Sequence, residues 1–307
     1  MTLNWGLAAK RNALAERARI IGAIRSFFSE EGYLEVETPL RIPAPAPESH
    51  IDPIPSASWF LHTSPELCMK RLLAAGYGRI FQICNCWRAE ERGRLHLPEF
   101  TMLEWYRAET GYFGLMDECE ALIRSVAAAI GLKERVVYGG REISLQGPWE
   151  RITVSEAFAR YTPHSLSEAL QRDLFDEIMV CDIEPRLGND SPVFIHDYPA
   201  SRGALARLKP DDPSVAERFE LYMGGVELAN GFTELTDPVE QRSRFLHEQE
   251  TRLSLGKTVC PMPEKFLEEL AHMPPAAGIA LGLDRLVMVL LQAASIDEVV
   301  AFTPEQL

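Results

Sequence analysis

The chain lacks any apolar run long enough to cross a bilayer. Its longest, such as residues 286–291, fall far short of the roughly 20 residues that a spanning helix needs. No apolar core follows the charges near the N-terminus, so no signal peptide is expected either. The reading is a cytoplasmic protein with no membrane partner. Positive charge is also scarce: 31 Lys and Arg stand against 45 Asp and Glu, a formal net charge of −14. That balance argues against gripping a long phosphate backbone, which requires clustered cations, although a local basic patch stays open. The six cysteines, at 68, 84, 86, 119, 181 and 260, show no paired zinc-ligand spacing. Cys84 and Cys86 fall on one face of a strand and suit buried thiols better than a cross-link. Neither GxxxxGK[ST] nor a GxGxxG opening a helix occurs, and GxSxG is absent, so P-loop, Rossmann and serine-hydrolase sites are unsupported.

What is present centres on residues 80–106. Residues 80–88 read as a buried strand in which Gln82, Cys84, Cys86 and Arg88 share a face. In a second strand, Phe100, Met102, Glu104 and Tyr106 share one face, and Thr101, Leu103 and Trp105 the other. Between them, residues 89–98 carry Glu90, Glu91, Arg92, Arg94 and His96. That is more charge than a turn requires, and it points to a ligand.

The rest of the chain supplies elements around this hairpin. Residues 10–31 have helical apolar spacing and end at Gly32, and 33–37 alternate as a strand ended by Thr38-Pro39. The proline-rich stretch 41–55 is expected to be irregular, serving either as a connector or as a cover over a site. Ser64-Pro65-Glu66 reads as a helix start, with Ser64 capping, proline in the first turn and Glu66 near the positive end of the dipole. Further helices are expected at 112–130, 154–161, 242–255 and 263–272. A strand at 193–198 and a strand pair at 218–222 and 226–229, turned by Gly224-Gly225, complete an α+β pattern. No repeat or long linker divides residues 1–307, so a single domain is expected.

Three charged clusters stand on otherwise apolar elements. Arg88 and Glu90 end a buried strand, where burying charge is costly unless a ligand uses it. Glu227 and Glu234 lie seven residues apart and would face opposite sides of a straight strand. They converge only if the chain kinks, with Asn230-Gly231 the expected bulge, and two such carboxylates would suit Mg²⁺ shared with phosphates. Two separate surface carboxylates are the alternative. Arg285 sits where a glycine-rich strand enters a helix, suited to a phosphate or to an ion pair with Asp284.

Four segments in order then carry a resemblance: 88–91 (RAEE), 96–106 (HLPEFTMLEWY), 227–235 (ELANGFTEL) and 278–285 (GIALGLDR). Together they resemble the catalytic core of class II lysyl-tRNA synthetases, and residues 32–39 resemble the first class II motif, used at the dimer interface. The first motif begins within forty residues of Met1, which leaves no room for the anticodon-binding barrel of those enzymes. The chain therefore looks like their stand-alone paralogues, which join β-lysine to elongation factor P.

The resemblance implies a class II catalytic core without tRNA anticodon binding, a homodimer, ATP with Mg²⁺, a lysine-like amino acid and elongation factor P as acceptor. It implies that Arg88 binds the α-phosphate, Glu90 holds the adenine or amino-acid side, Phe100 stacks under adenine and Arg285 covers it and reaches the γ-phosphate. Ala89, His96, Leu228 and Gly282 fall within the ATP-binding motifs. Glu227 and Glu234 would border the metal and the substrate ammonium, and Ser64, Pro65, Glu66, Tyr106 and Ala280 the amino acid. Three positions depart from the synthetases: Ala280 replaces glycine on the pocket floor, Ala89 replaces asparagine, and Leu97 replaces an asparagine expected near the substrate carboxylate. An adenylate-forming ligase with another acceptor, and an amino-acid-binding paralogue with weakened catalysis, are the alternative functions.

Overall fold

Eight strands form one twisted sheet: β1 (Leu34–Glu35), β2 (Arg79–Trp87), β3 (Glu99–Ala108), β4 (Glu150–Thr153), β5 (Val193–Pro199), β6 (Val215–Met223), β7 (Val226–Thr233) and β8 (Ala276–Gly282). The computed structural model describes residues 5–307. Residues 1–4, part of the stretch read as lacking a signal core, lie outside them. Strand order is β1-β2-β3-β8-β7-β6-β5-β4, antiparallel through the middle and parallel at both ends, where β1 meets β2 and β4 meets β5. With the helices that flank it, this is the expected α+β architecture.

The strands alternate as the sequence predicts. Gln82, Cys84 and Cys86 pair with Glu104, Met102 and Phe100, so the two ligand-facing sets share one side of the sheet. Phe81, Leu103 and Trp105 point to the other side. There they pack against α1 (Arg11–Glu30), α3 (Tyr112–Ala129) and α7 (Leu283–Leu290). Phe28 of α1 stacks on Phe81 with ring centroids 4.6 Å apart. Burying such aromatic side chains is worth about 1.5–3 kcal/mol each, so the back face anchors the hairpin.

The front face is covered at one end by α2 (Glu66–Ala74), α5 (Pro238–Ser254) and α6 (Glu264–Leu270), which bury Tyr106, Ile80 and Phe232. A third core forms around β5 and α4 (Val154–Tyr161), whose N-terminus carries a full capping box between Thr153 and Glu156. Gly224 and Gly225 both take positive φ, 62° and 72°, and join β6 to β7 as the dipeptide predicts. Two small sheets were not anticipated. One, of Arg41–Ile42, Pro55–Ser56 and Trp59–Leu61, gives the proline-rich stretch a frame; the other is the hairpin Arg135–Tyr138 with Arg141–Ser144.

Candidate active site

The front face opens into a cavity lined by residues from separate parts of the chain, among them Glu48, Ser64, Glu66, Arg88, Glu104 and Tyr106. Its inner end is strongly acidic. Glu104 projects from β3 with 1 % of its surface exposed, accepting hydrogen bonds from Ser64 Oγ (2.6 Å) and Tyr106 OH (2.7 Å). Ser64 Oγ in turn accepts from the Glu66 amide at 2.9 Å, one residue ahead of the expected place, because Pro65 and not Ser64 holds the cap position. Burial, and then the Glu66 charge, push the Glu104 carboxyl up to about 8.

A lysine that sequence reasoning passed over sits among these carboxylates. Lys70 Nζ donates to Glu66 Oε1 at 2.5 Å and lies 2.5 Å from Glu234 Oε2. Burial opposes its charge, but Glu234 and Glu66 outweigh that and hold it above the ordinary lysine value. Lys70 thus pairs with Glu66 and Glu234, while burial keeps Glu104 largely protonated near neutral pH. Both Glu234 oxygens nevertheless lack a well-directed hydrogen bond, an unmet demand at the cavity wall. The signal that could have found Lys70 is a cation four residues after Glu66, on the buried stripe that α2 makes with Leu67 and Leu73.

Two backbone features shape this floor. Gly278 on β8 faces Tyr106, and a Cβ there would collide with the Tyr106 ring and stand 2.5 Å from Glu234 Oε1. Ala280, two residues on, contributes its methyl to the lining. Pro65 begins α2 behind Ser64 and is buried.

The outer end is cationic. The Arg88 guanidinium lies 5.2 Å from the centroid of the Phe100 ring, with a weak approach to Glu91 at 3.9 Å, and its buried Nε has no hydrogen-bond partner. Arg285, in the first turn of α7 just after Gly282, donates to the Glu227 carbonyl (2.9 Å), to Glu227 Oε2 (3.0 Å) and to His96 Nε2 (2.6 Å). Burial and then the Arg285 charge push His96 down, so the ring is a neutral acceptor. The alternative Asp284–Arg285 pair does not form; Asp284 is buried and meets Arg17 at 2.5 Å. Glu90 stands exposed in the turn after β2 with φ 64°, and Ala89 is held there by its amide, which donates to Asp52 O.

Two expectations are corrected and one left open is resolved. Glu227 and Glu234 do come to share a face, but through a bulge at Leu228, not at Asn230-Gly231: Tyr222 pairs with Glu227 while Leu221 pairs with Ala229. The bulge repairs the parity without shortening the strand, and seven residues at about 3.3 Å each leave the two carboxylates some 20 Å apart. Each has its own partner, Arg285 or Lys70, so they do not converge on one metal. The carboxylate that shares the surroundings of Glu227 is Glu220 on β6, but Arg218 pairs with its Oε1 at 2.5 Å and Tyr198 and Tyr222 donate to its Oε2 at 2.6 and 2.7 Å. Second, Leu97 is 3 % exposed within the back-face core, so its side chain does not stand at the substrate carboxylate. Third, the proline-rich stretch is a cover: Glu48 lines the cavity, and burial together with Glu66 pushes its carboxyl up to about 7.

A cavity with buried carboxylates at one end and Arg88 at the other suits a cationic amino acid beside a nucleotide. Comparison with known proteins decides which family uses it here. The family model for class II tRNA synthetases (D, K and N) matches residues 3–306. Curated relatives named elongation factor P–(R)-β-lysine ligase align along nearly their whole length. The one from Hamiltonella defensa is 39 % identical, covering 99 % of this chain and 98 % of the relative. That from Sodalis glossinidius is 40 % identical over 99 % and 98 %, and that from Vibrio cholerae 40 % over 97 % of each. The chain belongs to the elongation factor P–(R)-β-lysine ligase family of class II synthetases. It is therefore a ligase built on a class II synthetase core, and none of its described helices is long and apolar enough to cross a membrane.

Proposed function

We propose that this protein activates (R)-β-lysine, or a close lysine-like amino acid, with ATP and transfers it to a lysine ε-amine of elongation factor P. The observation that carries the reading is the cavity that Glu66 and Glu104 line at one end and Arg88 at the other, with the buried Glu234–Lys70 pair behind Glu66. An entering ammonium stabilises the Glu104 carboxylate, and that pairing selects a substrate with a terminal ammonium. Glu234, Tyr106 and Glu104 hold that ammonium; Ser64 and Pro65 keep Glu66 and Glu104 in place; Ala280 trims the floor beside the reacting end.

The substrate carboxylate attacks the α-phosphorus, the bond to the bridging oxygen breaks, and pyrophosphate leaves with the electron pair. Arg88 stabilises the charge that develops on the phosphorus oxygens. Phe100 stacks beneath adenine, with Ala89, Glu90, Leu228 and Gly282 framing it, and Arg285 with His96 binds the distal phosphates. Glu227 would contact Mg²⁺, which is usually held by one or two carboxylates together with substrate phosphates, whereas both Glu220 oxygens are taken by Arg218, Tyr198 and Tyr222. When bound, Mg²⁺ supplies neutralisation of the triphosphate and of the leaving pyrophosphate. In the second half-reaction the ε-amine attacks the carbonyl, loses a proton and expels AMP. Glu48, beside Arg88 and with a carboxyl titrating near 7, takes that proton. Adjacent binding supplies the remaining rate enhancement.

We further propose one catalytic domain that acts in the cytoplasm, without tRNA, as a homodimer. Supporting the dimer, β1 is an exposed sheet edge, and Leu34 and Leu40 beside it are 50 % and 44 % exposed. A monomeric mass by light scattering at micromolar concentration would remove it. Amino-acid-dependent pyrophosphate exchange tests the activation step. β-Lysine and lysine are expected to support it and norleucine, which lacks the terminal ammonium, to fail. Equal exchange with norleucine would overturn the reading.

A further inference from the structure

Outside the residues assigned to ATP and amino acid, one cluster of soft donors remains. Alternation along β2 puts Cys84 and Cys86 on the same face, and the segment leaving strand Trp59–Leu61 brings His62 over them. His62 Nε2 lies 3.9 Å from each sulfur, and the three donor atoms all lie within 4.8 Å of one another. Tetrahedral zinc with bonds of about 2.0–2.3 Å needs donor separations near 3.5–3.8 Å, so the His62–sulfur contacts close by a few tenths of an ångström and the widest donor pair by at most about 1 Å.

A second observation points to the same place. Gln82, two residues earlier on that face and 2 % exposed, leaves its Oε1 without a hydrogen-bond partner. His62 Nε2–H donates to the Asn85 carbonyl at 2.7 Å, and this bond opens when Nε2 ligates an ion. We propose that His62, Cys84 and Cys86 form a binding site for one thiophilic d¹⁰ metal ion, Zn²⁺ in the first instance, with an oxygen donor or water completing the coordination. The donors are wrong for Mg²⁺ and right for zinc, which separates this site from the carboxylates near the nucleotide. His62 and Cys86 are buried while Cys84 is partly accessible, giving the ion an entry. On binding, both thiols lose their protons and the imidazole proton resides on Nδ1. The ion then ties the segment that presents Ser64 to strand β2. The spacing of the cysteines alone does not reveal the site, because its third donor comes from 22 residues upstream.

The test is titration of the reduced full-length protein with Co²⁺ alone, followed by Zn²⁺. One equivalent of Co²⁺ is expected to produce thiolate-to-cobalt absorption in the near ultraviolet and tetrahedral bands in the visible, both abolished by Zn²⁺. Zn²⁺ raises the melting temperature as a ligand of the native state must. Cys84→Ser and Cys86→Ser each lose the near-ultraviolet band, and Cys181→Ser, which removes an exposed thiol elsewhere, keeps it. Because substitution of a buried thiol can unfold a chain, the wild-type spectrum decides by itself. Its absence at stoichiometric Co²⁺ overturns the proposal, as does a band that persists in folded Cys84→Ser.

Discussion

Lys70 Nζ stands 2.5 Å from Glu234 Oε2, and neither side chain has any contact with solvent. Removing one member of such a buried pair costs about 3–5 kcal/mol, because the other charge is left alone in a low dielectric. Lys70→Met is therefore expected to lower the denaturation midpoint substantially. Glu234→Gln, which keeps shape and leaves Lys70 paired with Glu66, is expected to fold and to raise the KM for the amino acid about 10- to 100-fold, the worth of a charged hydrogen bond. The KM for ATP stays unchanged. An equal rise in both constants would show that Glu234 shapes the whole cavity and does not read the ammonium.

Glu104 sets a pH dependence whose sign follows from burial. Its carboxyl titrates near 4.5 when unfolded and near 8 when folded, so the native state holds the proton more tightly. Its stabilising contribution is fully present below pH 4.5 and is lost as pH rises to about 8. Glu48 and Glu184, raised to about 7, act in the same direction. A bound ammonium reverses the preference by stabilising the carboxylate. The amino-acid KM is therefore expected to fall between pH 6 and 8, with proton release on binding at pH 7. Calorimetry in buffers of different ionisation enthalpy measures that release, and proton uptake would contradict the assignment.

Arg88→Ala is expected to reduce pyrophosphate exchange about 10²- to 10³-fold, the usual cost of losing one preplaced donor to transition-state charge. The side chain stacks on Phe100 and makes no close ion pair, so the melting curve should barely move. Unchanged exchange would take Arg88 out of the mechanism.

Glu48 separates the two half-reactions. Glu48→Gln leaves amino-acid-dependent exchange within a few-fold of wild type and slows transfer to elongation factor P about 10²-fold or more, the scale of general base catalysis. Single-turnover transfer from preformed adenylate reads the second step alone. Equal losses in both steps would make Glu48 a binding residue.

Much of this arrangement is legible in the sequence, for reasons particular residues make clear. Period-two alternation sorted Glu104 and Tyr106 from Leu103 and Trp105, because side chains on adjacent strands share a pleat. Gly224-Gly225 announced its hairpin because only glycine takes two positive φ angles cheaply. The rest depends on contacts distant in the chain. Lys70 reads locally as one more helix surface cation until Glu234 arrives from 164 positions later. Glu48 is hidden in a proline-rich stretch whose local pattern does not distinguish a cover from a connector. The β7 bulge falls at Leu228, with nothing in the residue itself to mark it, whereas Asn230-Gly231, the better local signal, runs straight. Leu97 looked like a lost polar contact and is instead a core side chain, since its neighbours on the back face are apolar.

The central claim is protein aminoacylation without tRNA, and the intact mass of elongation factor P tests it most directly. After incubation with this protein, Mg·ATP and (R)-β-lysine, the factor is expected to gain the mass of one β-lysyl residue on one lysine. The gain should require ATP and be lost with Arg88→Ala. An unmodified factor alongside robust charging of a tRNA would contradict the account.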